Sequence, residues 1–88
     1  MGSKSREKGK RGERQFAALC REYGYNAYRT AQVMGKDGGE PDVQGLPYLH
    51  VEVKNAERHQ PYDYMAQANR DAKPGMMPVV AMKRNNHG

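Results

Sequence analysis

The run YLHVEVK, residues 48–54, constrains the fold more than any other stretch of the chain. Side chains along a strand alternate between faces. Leu49, Val51 and Val53 therefore point one way, and His50, Glu52 and Lys54 the other. One face needs a hydrophobic cover, so the strand belongs to a small sheet with at least one helix against it. Taken alone, the other face is that of a half-exposed strand. Glu52 and Lys54, about 7 Å apart at their roots, would then be a surface ion pair.

Other elements can be placed around this strand. A helix is predicted over 10–23, because Phe16, Leu19, Cys20 and Tyr23 recur at i, i+3, i+4, i+7 and Gly24 supplies a C-terminal stop. YNAYRT predicts a short strand over 26–30, and MGKDGGEP a glycine-rich loop over 34–41. Asp42 and Val43 start a second strand, and QGLP predicts the turn that returns it alongside 48–54. Pro61 suits the first turn of a helix over 62–72, KPGMMP breaks that helix, and VVAM predicts a last strand over 79–82. The expected order is helix, three strands, helix, strand: an α/β domain with a small mixed sheet flanked by helices. No repeat or second domain is visible.

The first nine residues are basic and nearly free of apolar side chains. They read as a flexible arm, leaving 10–88 as the single folded domain. NNHG at 85–88 resembles a hairpin turn with no strand after it. Either the natural chain continues, or a second copy covers the edge at 79–82.

The 88 residues carry a formal net charge of +5, which favours a polyanionic partner, most often nucleic acid. Lys8, Lys10, Arg11 and Arg14, with Arg29 and Lys36 further along, are the side chains expected to meet it. No apolar run approaches the roughly 18 residues of a membrane span, and there is no secretory h-region. Cys20 is the only cysteine, which excludes an internal disulfide or a cysteine-rich zinc site and favours a reducing, intracellular setting. Cys20 itself reads as core. His50, His59 and His87 lack zinc spacing, although His50 shares the face of Glu52.

Asp42 changes the reading of the charged strand face. The hairpin brings it toward Glu52, and two converging carboxylates repel and raise each other's pKa. A hard divalent cation is the usual reason for such a pair. Magnesium, with manganese as substitute, could be held by Asp42, Glu52 and the Val53 carbonyl. Glu13, one turn before Ala17, offers a third carboxylate for a second ion, or simply an acidic residue near a helix start. Such an ion polarises a phosphate and lowers the pKa of bound water, and Lys54 can stabilise charge on the phosphoryl group. The chemistry expected is hydrolysis of a phosphodiester bond.

Pro41-Asp42, nine residues, then Glu52-Val53-Lys54 resembles the PD-(D/E)XK signature of restriction-endonuclease-like nucleases. KGKRGERQFAALCREYGYNAYRT is similar to the start of the archaeal and phage Holliday-junction resolvases. The small phage virus-type replication-repair (VRR-NUC) nucleases are equally similar. The likeness spans roughly residues 8–82. It implies a restriction-endonuclease-like core and a magnesium-dependent deoxyribonuclease, selective for structures such as junctions or flaps, in phage replication, recombination or repair. It implies catalytic roles for Glu13, Asp42, Glu52 and Lys54, and for a glutamine of the second helix, Gln67, with Gln60 as rival. It further implies a homodimer, in the host cytoplasm if the gene is a phage's. Relatives usually add another strand after position 82. The alternative is a module of the same fold that binds nucleic acid without cutting it.

Overall fold

The computed structural model describes residues 2–31 and 39–84, with side chains from Glu7 onward. Helix α1 (Gly2–Glu22) leads to strands β1 (Tyr28–Arg29), β2 (Val43–Gln44) and β3 (Leu49–Ala56), then helix α2 (Pro61–Asp71) and strand β4 (Met77–Arg84). The predicted order of elements holds.

β1 is shorter than the predicted 26–30 and β3 runs two residues past the predicted 54; three further differences have clear causes. The expected arm over 1–9 is instead helical from Gly2, in register with the rest of α1. The segment lacks proline and is rich in Lys, Arg and Glu, which are good helix formers. Glu7 lies 3.9 Å from both Lys10 and Arg14, across successive turns. Tyr48, expected in the strand, instead occupies the turn before it. β4 is also twice the predicted length, because it runs parallel to β3 over the full register from Leu49↔Met77 to Ala56↔Arg84. The predicted turn at NNHG lies outside the described residues.

The sheet order is β1-β2-β3-β4, antiparallel except for the last pair. A parallel neighbour requires a crossover, and α2 supplies it. The two helices cover opposite faces. Ala17, Phe16 and Cys20 of α1 pack on Val43, Val51, Val53, Val79 and Ala81. Lys54, of opposite parity to Val53, lies under Tyr64 of α2. On α2, Tyr64, Met65, Gln67, the fully buried Ala68 and Asp71 turn inward, while Tyr62, Asp63, Ala66 and Asn69 face solvent.

The predicted apolar stripe of α1 is only partly the packing face. Phe16 and Cys20 meet the core, but Leu19 and Tyr23 are exposed. The buried line runs instead through Gly12 and Ala17. Gly12 allows α1 to cross the end of β3, since a Cβ there would sit 3.0 Å from that of Asn55. Asn55 Nδ2 donates to the Lys8 carbonyl at 3.1 Å and fixes the crossing. α1 ends as predicted at Gly24 (φ 98), with Tyr25 N–H bonded back to Cys20 and Gly24 N–H to Arg21.

Gly45 sets the β2–β3 connection. Its φ is +90, and a Cβ would collide with the Asn26 carbonyl oxygen. Gly45→Ala is expected to lower stability by about 2–3 kcal/mol or more, since it combines left-handed strain with a backbone clash. A urea midpoint equal to that of the parent would contradict this packing.

Candidate active site

Pro41 and the end of β2 create the site. Proline has no N–H, so the β2–β3 ladder stops there. Asp42 compensates with both backbone and side chain. Its N–H donates to the Val51 carbonyl at 2.8 Å, and its Oδ2 accepts the Val53 N–H at 2.8 Å. The N–H and C=O of a strand residue leave the backbone on the same side. The Val53 carbonyl is therefore also turned toward Asp42. Thr30 anchors the approach, its N–H on the Asp42 carbonyl and its hydroxyl on that of Pro41. Gln44 Nε2 donates to the same hydroxyl at 2.9 Å.

Glu52 is almost fully buried, at 5% exposure, and its Oε2 lies 2.8 Å from His50 Nε2. An ionised Glu52 requires His50 to donate from Nε2, which leaves Oε1 free for another partner. Burial pushes the Glu52 carboxyl above its ordinary pKa, and the charge of Asp42 raises it further. His50 and Lys54 act in the opposite direction.

Glu13 shows the same pattern from α1. Burial raises its pKa first and the charge of Asp42 second, while Arg29 and Arg14 oppose them. Arg29 Nε donates to Glu13 Oε1 at 3.1 Å, so this residue, expected to contact nucleic acid, is held inside the site. Asp42 is thus the carboxylate whose charge reaches both of the others. Among the described residues no three His, Cys, Asp or Glu side chains are grouped so as to hold a metal ion. The donors that fit a divalent cation are Asp42, Glu52 and the Val53 carbonyl: hard oxygens, two of them carboxylates.

Lys54 Nζ lies 5.3 Å from the centroid of the Tyr64 ring, within cation–π range. Tyr64 is held in turn by His59. The Lys83 carbonyl can only accept, so His59 donates to it from Nε2 at 2.9 Å, and Nδ1 meets the Tyr64 hydroxyl at 3.2 Å. Gln67, half-buried, lies three residues after Tyr64 on the inward face of α2. Gln60 is exposed and makes no side-chain cap at the helix start. Among the described residues, none of the hydrogen bonds around Asp42 and Glu52 includes Gln67.

Sequence reasoning named the carboxylates and Lys54 but missed three partners: Arg29 for Glu13, Thr30 for Pro41, and Tyr64 for Lys54. Only His50 carried a signal, through its shared strand face with Glu52. Of the expected nucleic-acid contacts, Arg11 and Arg14 are exposed on α1, and Lys8 and Lys10 are half-buried. Lys36 and His87 lie outside the described residues. Among the described residues, no helix is long and apolar enough to cross a membrane. No family model, curated protein or solved structure matches the chain.

Proposed function

We propose that the chain is a metal-dependent nuclease that hydrolyses DNA phosphodiester bonds, of the PD-(D/E)XK type with a restriction-endonuclease-like core. The observation that carries this reading is the position of Asp42. It is bonded to Val53 N–H, and its charge reaches both Glu13 and Glu52, with Lys54 next along β3 after Val53. Repulsive, partly desolvated carboxylates destabilise a fold unless a ligand uses them.

Asp42, Glu52 and the Val53 carbonyl would hold magnesium, with manganese as substitute, and Glu13 would join through water. Such an ion supplies Lewis-acid polarisation of the phosphate and an acidified water. His50 fixes one oxygen of Glu52 and so orients the other. Arg29 holds Glu13 in place. Lys54, held against the Tyr64 ring, would stabilise the charge that develops on the phosphoryl group. Gln67 is the glutamine of this site, on the helix face that covers Lys54. The positive charge of α1 gathers the polyanion. β4 is an edge of the described sheet with Met77 and Met82 exposed, a surface that suits a second copy of the chain. The lone free thiol of Cys20 fits an intracellular enzyme.

The test is a cleavage panel of four-way junction, flap, single-stranded and linear duplex DNA in magnesium, manganese and chelator. Cleavage is expected in either metal and not in chelator. If no DNA is cut in either metal, the nuclease reading fails.

A further inference from the structure

Tyr48 occupies a backbone position that a tyrosine would not choose. Residues 46–49 form a turn closed by Leu49 N–H on the Leu46 carbonyl at 3.2 Å, with Pro47 and then Tyr48 at its centre. Proline followed by a residue of positive φ is the type II arrangement, whose third position favours Gly or Asn. Here it holds Tyr48 at φ 65, the one non-glycine residue with positive φ among those described. Packing does not hold it there, because Tyr48 is 77% exposed. The Met77 N–H on the Tyr48 carbonyl at 2.7 Å ties the backbone of the turn to β4 but makes no use of the ring, which is left open to a ligand.

The surroundings indicate which ligand. Tyr28 lies at the same end of the sheet, in register with Gln44 of the same hairpin, and is also largely exposed, at 55%. The chain carries a net charge of +5. Exposed aromatic faces on a basic protein match a ligand with flat bases on a polyanionic backbone. Tyr48 immediately precedes β3, four residues before Glu52, about 13 Å along an extended strand. A short stretch of nucleotides covers that span.

We propose that Tyr48 is a stacking platform for an unpaired nucleobase of a single-stranded segment. A duplex keeps its bases stacked on one another, so the ring discriminates for unpaired nucleotides. With the nuclease reading, on which this second step rests, the preferred substrate carries single-stranded DNA beside the cut.

The test compares Tyr48→Gly and Tyr48→Phe with the parent chain. Each is measured without metal, in chelator, against a short deoxythymidine homopolymer, its ribose counterpart and a duplex. Tyr48→Gly is expected to bind the deoxythymidine homopolymer about tenfold more weakly and the duplex equally well. Relief of the left-handed strain and the entropy cost of a glycine oppose each other, so its unfolding temperature should stay within about 4–8 °C of the parent's. Tyr48→Phe should bind like the parent. The same loss on the ribose strand assigns the platform to the base rather than the sugar and supports the proposal. Unchanged homopolymer affinity in Tyr48→Gly overturns it, as does an equal loss on duplex. A fall in unfolding temperature well beyond that range also overturns it, since the ring would then be a packing group. Cleavage of duplex in magnesium is scored separately, so failure of the nuclease reading leaves this result interpretable.

Discussion

Glu52→Gln and Lys54→Ala are each expected to lower magnesium-dependent DNA cleavage by on the order of 10²–10³-fold or more, with DNA binding retained. The two losses should have different causes. Glu52 is buried and its carboxyl is pushed toward the neutral form, so glutamine costs the fold little and still accepts from His50 Nε2. Alanine there would leave His50 without its acceptor, a cost of about 1–3 kcal/mol that would confuse folding with chemistry. Glu52→Gln should therefore weaken manganese binding in calorimetry together with cleavage. Lys54→Ala should leave manganese affinity close to the parent's, because Lys54 faces Tyr64 and ligates nothing. A Glu52→Gln protein that cuts at the parent rate would remove the central ligand from the mechanism. A Lys54→Ala protein with full activity would reduce the lysine to a packing partner of Tyr64.

The strand that carries both residues was readable because its pattern is local. Strict alternation over 49–54 fixes which side chains share a face without any knowledge of neighbours. Gly24 as a stop and Pro61 as a start are equally local, and both stand where expected. The start of α1 was not readable in the same way. Its first residues offer no apolar stripe, so only helix-forming lysine, arginine and glutamate, continuing the packed turns at Gly12 and Ala17, mark them as helical. The turn before β3 was misplaced because QGLP supplies the usual turn residues, while the structure uses Leu46 to Leu49 and accepts a left-handed Tyr48. Arg29 looked like a free surface cation. Its pairing with Glu13 depends on α1 crossing β1, a tertiary fact that no spacing encodes.

The second large effect concerns Asp42 and gives the site a signature in stability as well as rate. Glu13 and Glu52 both have folded pKa values raised above the ordinary glutamate value of 4.5. Between that value and the raised ones, the folded state holds more protons than the unfolded state. Stability then falls as pH rises through the window. The metal-free protein is thus expected to lose unfolding midpoint on going from mildly acidic to neutral buffer. Magnesium should restore it at neutral pH, where it binds ionised carboxylates, and have little effect at acidic pH, where protons compete. Asp42→Asn keeps an acceptor for the Val53 N–H but removes the charge that acts on both glutamates. It should flatten the pH dependence without abolishing it, because burial, the larger cause, remains. It should also abolish the magnesium effect and lower cleavage by on the order of 10²–10³-fold. Thermal unfolding of both proteins across this pH range, with magnesium and with chelator, separates the outcomes. Should Asp42→Asn keep the parent's slope and its magnesium response, Asp42 does not join Glu13 to Glu52, and the three carboxylates are not one site.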